Sequence, residues 1–427
     1  MEPTTENNDS KIYSISVFVL ALSLILSNSL YTSIHLFSIL SKLLMFSSSF
    51  VLFIVGIFFL KSNLTNVIRI YSLYLVIVII LFIEQALRAQ ISANKLLLLI
   101  AFPLLIIPFL VMERARNSIV FFRYFCNIMI IIASCSLLFT MVGLLGVPLN
   151  SSITSLWSGG TIVGGYFHLH FFPGGTQKIP FLFFHILRNS SIFPESPIFG
   201  YYLSLALVFQ NFIINRNRFV DLQSFIIYIT IITTASTTSL FIAIGVFAIK
   251  SIIFIRNKTI KKIYVFFLFV SLIVALEYII QFKLKNSLGS VSIRSDDFRA
   301  GMMAFLDHPI FGNGFNNLAS IEAHMDANRL LYNPEAIALG LNRAGFSLGL
   351  PEMLALGGFY YAFFWLIFPS YLYVKKFYKC LLAWIPCFNL LLVSLLIIND
   401  TYMFIFTIVY FYVYGIYSNN KSGSESE

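Results

Sequence analysis

The sequence predicts an all-α, polytopic transmembrane helical bundle of about twelve spans with two outward-facing loops, the second large and partly helical. Three observations predict it. Hydrophobic residues make up 59% of the chain against 11% charged, and the mean hydropathy is +0.87, whereas soluble domains carry about 25% charged residues. Apolar runs of the ~20 residues needed to cross a bilayer recur along the chain. Charge collects instead in one island, 282–346, with six Lys/Arg and six carboxylates. A charge at the centre of a membrane costs roughly 2.5–3.5 kcal/mol or more. The island is therefore expected to fold as a cap on one membrane face.

The chain reads as one integral membrane domain over 1–427. Its spans are expected in order at 12–31, 35–60, 66–84, 95–112, 119–147, 196–214, 222–236, 238–255, 263–281, 348–373, 380–398 and 401–417. The seventh and eighth are short and meet at a hydroxyl-rich break, TTASTTS, over 233–239. Its side chains can satisfy the backbone groups that such a break frees, without any ligand. The first outer loop is 148–195, where Gly, Ser and Pro interrupt any long helix and aromatics suit a membrane interface. The second is the island at 282–346.

Twelve spans place both termini on one side, and the positive-inside rule says which. The terminal side, counting its loops, tails and adjoining span ends together, holds 17 of the 28 Lys/Arg and seven of the 18 carboxylates, which accounts for the whole net charge of +10. The termini are thus expected in the cytoplasm and the island outside. Topology explains the basic pI, and no basic–aromatic interleaving suggests nucleic acid. Cys126, Cys135, Cys380 and Cys387 lie in or at apolar spans and read as small packing residues. The first apolar stretch is long and lacks a small-residue cleavage pattern, so no cleavable signal peptide is expected.

Two segments carry candidate chemistry. In RNSSIFPESPIFGYYLSLAL, 188–207, Arg188 and Glu195 stand just outside an apolar helix, with Pro194, Glu195 and Pro197 in its first turn. A carboxylate there gains about 0.3–1 kcal/mol from the helix N-terminus. One reading is a dipole-capping Glu with a snorkelling Arg. The other is an anion-binding Arg with a catalytic or substrate-orienting carboxylate at the mouth of a cavity. In RSDDFRAGMMAFLDHPIFGNGF, 294–315, a helix is expected over 296–306, with Phe298, Met302 and Phe305 on one face and Arg299 on the other. Pro309 ends it, and Gly312 and Gly314 make a tight turn. Arg294 and Arg299 could clamp a pyrophosphate through bidentate forks, or could form a surface ion-pair cluster with Asp296 and Asp297 worth about 0–1 kcal/mol.

Other features weigh less. Adjacent Asp296 and Asp297 without further ligands are a weak divalent-ion signal. His168 and His170 alternate as on a strand but have no Cys or carboxylate partner nearby for zinc. His308 fits a structural role in the turn before Pro309. Glu277 and the Glu84–Arg88 pair lie near membrane interfaces, where packing pairs are common. No repeat relates the two halves of the chain, and that counts against a secondary transporter.

Taken in order, Arg188 and Glu195 leading into a span, TTASTTSLFIAIGV, Arg294 with an amphipathic turn and HPIFGNG, and FSLGLPEMLALGGFYY resemble the O-antigen polymerase and O-antigen ligase superfamily of integral-membrane glycosyltransferases. The similarity covers about 188–365; before that only the hydropathy profile matches. Ligases of this kind typically place a His, then Asn, Ser or Gln, eleven and ten residues before a Gly. Counting back from Gly357 gives Phe346 and Ser347. Phe cannot accept a proton, so the polymerase branch is favoured.

The resemblance implies a metal-independent, cofactor-free polymerase of undecaprenyl-pyrophosphate-linked repeat units in a bacterial plasma membrane. Its product would be a surface or exported polysaccharide: O-antigen, capsule or exopolysaccharide. The implied partners are the lipid-linked donor and acceptor, membrane lipids, a chain-length regulator and a flippase. Arg188, Arg294 and Arg299 are assigned to pyrophosphate. Glu195 is assigned as base or acceptor-orienting residue, with Glu352 as a second choice. A ligase and a lipid-linked sugar transporter or flippase are the alternatives.

Overall fold

Helices account for most of the chain because, next to lipid, a helix alone satisfies all its backbone groups within one segment. The computed structural model describes all residues except 1–4, 61–63, 89–91, 174–177, 182–183, 268–269, 271–276, 278–280, 282–287, 330–344 and 418–427. In chain order the first helices are α1 (Thr5–Leu26), α2 (His35–Phe59), α3 (Leu64–Leu87), α4 (Ala93–Ala115) and α5 (Val120–Leu144). After a strand region come α6 (Ser196–Ile214), α7 (Leu222–Thr234) and α8 (Thr237–Phe254). The island contributes α9 (Leu288–Asp307) and the single turn α10 (Ala319–Glu322). The chain closes with α11 (Gly349–Phe377), α12 (Leu381–Leu395) and α13 (Tyr402–Ile416).

Among the described residues, seven helices are long and apolar enough to cross a membrane and four further apolar helices are shorter. The protein is therefore a membrane-embedded helical bundle. Of the twelve expected spans, the one at 263–281 lies largely outside the described residues, although 258–267 is helical. The remaining eleven are each helical over most of their length.

Burial sorts the helices into a centre and a periphery. Residues 198–209 of α6 and 403–414 of α13 are buried all round, as expected of helices enclosed by others. Leu36, Phe58, Ile83, Leu138 and Met141, on α2, α3 and α5, are exposed and form part of an apolar belt facing lipid.

The first loop departs from its irregular reading. It carries β1 (Ser151–Ser155), β2 (Thr161–Tyr166) and β3 (His170–Phe171) in an antiparallel sheet, then a hairpin of β4 (Lys178–Phe181) and β5 (Phe184–Leu187). The register sets Ile153 against Val163 and Gly165 against Phe171. Ile153, Val163 and Phe171 pack with Leu30 into a small separate core. These strands are short and their apolar residues few, so turn residues dominate the composition and hide the alternation. The molecule is thus helical with a small β cap.

At the same end the turn after α9 docks on a break in α11. The break lies at Gly358, with φ 67° and ψ −172°. Past it, Phe359 N and Tyr360 N donate to Pro309 O at 2.8 Å and Ile310 O at 2.9 Å; Asn313 N and Gly314 N donate back to Ala355 O at 2.8 Å and Leu356 O at 3.0 Å. The backbones meet so closely that a Cβ on Gly312 would stand 2.4 Å from the Leu356 carbonyl, and one on Gly358 would stand 2.3 Å from Ile310 O. Both glycines also have positive φ, where a side chain is strained. HPIFGNG and LALGG therefore form one zipped unit.

Candidate active site at the capped end of the bundle

Arg188 leaves the end of β5, and Glu195 is the N-cap residue of α6. The segment between them is tied on several sides. Asn189 N donates to Thr233 O at 3.0 Å, and its side-chain amide donates to Ser136 Oγ at 3.1 Å and Thr233 Oγ1 at 3.0 Å. Ser190 and Ser196 share a hydroxyl hydrogen bond of 2.8 Å. Phe171 N donates to Ser191 O at 2.8 Å, and Leu30 N to Ile192 O at 2.8 Å. The hydroxyl-rich break between α7 and α8 is thus the floor on which RNSSIFPES rests, and these contacts hold Arg188 and Glu195 on fixed backbone.

Arg294 comes from α9, which packs against α11 through a face different from the expected one. Phe298 is exposed, while Asp297, Ala300, Gly301 and Ala304 are buried. Small residues let the two helices approach closely: a Cβ on Gly301 would meet Pro351 Cβ at 2.6 Å. Phe346, where the resemblance sets a ligase His, reaches the same spot.

Asp297 is affordable on that face because Arg329 meets it. Arg329 is buried, and its guanidinium donates to Asp297 Oδ1 at 2.6 Å, Asp296 Oδ2 at 2.8 Å and Gly345 O at 3.1 Å. Ser347 N donates to Asp297 Oδ2 at 3.0 Å. Asp296 accepts further from Arg299 at 2.8 Å and from Asp326 N at 3.1 Å. Burial alone would raise the Asp296 pKa, but the donors from Arg299, Asp326 N and Arg329 outweigh it and hold the carboxyl below its usual range. The two aspartates are saturated by protein donors, which leaves little coordination capacity for a divalent ion. Among the described residues no three His, Cys, Asp or Glu side chains gather as a metal site.

The five candidate residues fall into three places. Arg188, Glu195 and Arg294 lie within electrostatic reach of one another. Burial raises the Glu195 pKa, and the charges of Arg188 and Arg294 pull it partly back. Burial also lowers that of Arg188, with Glu195 opposing and Arg294 adding repulsion. Yet Arg188 and Glu195 are exposed to water and Arg294 partly so. These three side chains are crowded by protein yet open to solvent, so they can take a ligand. Among the described residues no hydrogen bond or ion pair joins the three, and Glu195 makes no side-chain capping bond to α6.

Arg299 instead turns to Asp296 and to His324 O at 3.0 Å. Glu352 lies buried in the first turn of α11, where the charges acting on it are Asp400 and Lys95; its Oε2 has no hydrogen-bond partner. Lys95 and Asp400 form an ion pair with each other. His168 lies in a turn at φ 56°, while His170 is buried against Phe172. Burial lowers the His170 pKa to about 3, so it stays neutral.

Sequence reading missed Arg329 and the Lys95–Asp400 pair. Each joins residues far apart in the chain, and neither lies in a local motif. Asn189 was legible as part of RNSS but not as the anchor of the segment. No protein-family model, curated protein or solved structure matches the chain, so function is argued from the chemistry of these groups.

Proposed function

We propose that the protein is an integral-membrane glycosyltransferase that polymerises undecaprenyl-pyrophosphate-linked oligosaccharide repeat units on the outer face of a bacterial plasma membrane. The observation that carries this reading is two arginines within electrostatic reach of one solvent-exposed carboxylate without closing an ion pair. Opposite charges left apart favour a ligand between them. An anion with a leaving oxygen suits the arginines, and a hydroxyl suits the carboxylate.

In the reaction, a hydroxyl at the non-reducing end of one repeat unit attacks the anomeric carbon of the growing chain. The new C–O bond forms as the bond to pyrophosphate breaks, and the acceptor proton passes to Glu195. Undecaprenyl pyrophosphate departs with about two or three negative charges. Arg188 and Arg294 stabilise that charge where a metal ion would otherwise serve. A base raised by burial toward working pH suits the proton transfer. Arg299, which the resemblance pairs with Arg294, instead braces the latch that Arg329 forms with Asp296 and Asp297, and Glu352 belongs with the Lys95–Asp400 pair. With twelve spans, the positive-inside charge partition puts both termini in the cytoplasm and the Arg188–Glu195–Arg294 group outside.

Purified protein in nanodiscs, supplied with a lipid-linked repeat unit and excess chelator, tests the reading. Chain extension that survives the chelator and is lost in Arg294→Ala supports it. Extension abolished by chelation and restored by magnesium overturns the arginine mechanism. In cells, a deletion strain displaying single repeat units fits a polymerase. Intracellular accumulation of the lipid-linked unit would mean translocation instead, and free polymer without attachment would mean ligation.

A further inference from the structure

A second polar site opens at the same end of the bundle. It is a cavity of about 350 Å³ between the end of α1, the starts of α4 and α13, and the turn that follows α9. That size falls in the range of about 300–1,000 Å³ usual for small-molecule sites. Its walls are mainly amides and hydroxyls, among them Asn28, Ser92, Asn94, Asn316 and Thr401, with Phe315 and Tyr402 adding aromatic surface. The Lys95–Asp400 ion pair lies in its lining, and Lys95 Nζ stands 4.9 Å from the centre of the Phe315 ring.

The wall is built rather than incidental. Gln85 is fully buried, and its amide brackets the turn: Oε1 accepts from Phe315 N at 3.0 Å and Nε2 donates to Phe311 O at 3.3 Å. Asn28 lies at the Tyr202 hydroxyl and Thr401 beside that of Tyr201. Both tyrosines belong to the second turn of α6, the helix that Glu195 begins.

Chemistry narrows what such a lining can take. An apolar ligand would strip water from the solvent-facing side chains of Ser92 and Asn94 without replacing its hydrogen bonds, at about 1–3 kcal/mol for each group left unpaired. A bare anion would meet Asp400, and a bare cation would meet Lys42 and Lys95. A polyhydroxylated ring meets none of these objections. Its hydroxyls donate and accept as the asparagines do, its edges can bridge both members of the ion pair, and its C–H face suits Phe315 or Tyr402.

We infer that this cavity is a carbohydrate-binding subsite that holds a sugar ring against the Lys95–Asp400 pair. Naming that sugar as the acceptor end of a repeat unit rests on the polymerase reading above; the binding of a sugar does not.

Saturation-transfer difference NMR on the full chain in nanodiscs tests the inference, with glucose, N-acetylglucosamine and glucuronic acid as probes at millimolar concentration. Wild-type protein should transfer saturation to the ring protons of at least one of them. Asn94→Trp, an exposed position at the rim, should weaken that binding about tenfold or more with an unchanged thermal midpoint. Ser92→Trp, whose side chain makes no capping bond, should do the same and stands in if the first variant fails to fold. No transfer to any probe overturns the inference, as does transfer that both tryptophans leave intact. The polymerase reading fails separately: if sugar binds but Arg188→Ala and Arg294→Ala extend chains normally, the subsite stands and the reaction falls.

Discussion

Helix α9 carries two arginine–carboxylate groups within one turn of each other, and they behave in opposite ways. At Asp296 and Asp297 nearly every carboxylate oxygen is met by a donor from Arg329, Arg299, Ser347 or Asp326 N, at 2.6–3.2 Å wherever the contact is of ordinary length. At the second group Arg188 and Glu195 feel the charge of Arg294 and of each other without an ion pair. The difference teaches what each is for. A buried charge that spends its hydrogen bonds on the protein holds a shape, since removing a partner strands the other. Charges held near one another but open to water keep their capacity for a ligand. The first group fixes the rotation of α9 and so aims the second.

Breaking the latch should have the largest effect on the protein itself. Arg329→Ala leaves Asp297, fully buried, without its main counter-charge, a loss of about 3–5 kcal/mol. The thermal midpoint in detergent or nanodiscs should fall steeply and expression with it. Retained stability would show that Asp297 is protonated or otherwise satisfied and that Arg329 does not hold α9 in place.

Breaking the open group should leave stability and remove function. Arg294→Ala and Arg188→Ala should each lower chain extension about 10²–10³-fold with protein levels near wild type, read from the length distribution of the glycan. Arg294→Lys should rescue poorly, because an ammonium is a point charge without the planar fork. Near-full rescue by lysine would mean that net charge alone is needed.

Glu195 sharpens the contrast through pH. Burial raises its pKa above the usual carboxylate value of about 4.3, against the pull of Arg188 and then Arg294. A raised pKa means that the folded state binds the proton more tightly than the unfolded chain. Any stability this group contributes is therefore present below the unfolded pKa and lost as pH rises through the folded one. Activity as a base runs the other way, rising with pH as Glu195 ionises. Glu195→Gln should accordingly be no less stable at neutral pH and yet lose about 10²-fold or more in extension, with the acidic limb of the pH–rate profile gone. An unchanged acidic limb would assign the proton transfer elsewhere.

How much of this could be read from the chain follows from where each signal lies. A helical membrane protein is legible because about 20 apolar residues in a row satisfy a membrane by themselves, and seven helices among the described residues are long and apolar enough to do so. Arg188 and Glu195 were legible because charges flanking the start of a span are conspicuous. The β cap was not, since Ile153, Val163 and Phe171 make too small a core to stand out among Gly, Ser and Pro. The rotation of α9 was misread for a related reason. Phe298, Met302 and Phe305 look like a buried face, but Ala300, Gly301 and Ala304 allow the closer approach to α11, and Arg329 permits Asp297 beside them. Periodicity counts apolar residues and cannot see an arginine arriving from the far side of the island.

The smallest effect belongs to Arg299, and it discriminates most finely. Sequence pairs it with Arg294 as a pyrophosphate clamp, yet its side chain is 52% exposed and spends its donors on Asp296 and on His324 O. Asp296 keeps Arg329 and Asp326 N when Arg299 is removed, so no charge is stranded. An exposed pair of this kind is worth about 0–1 kcal/mol. Arg299→Ala should therefore shift the thermal midpoint only slightly and leave glycan length near normal, and raising the salt concentration should erase even that shift. A loss of extension as large as that of Arg294→Ala, at unchanged stability, would move Arg299 from the latch to the Arg188–Glu195–Arg294 group and restore it to the pyrophosphate.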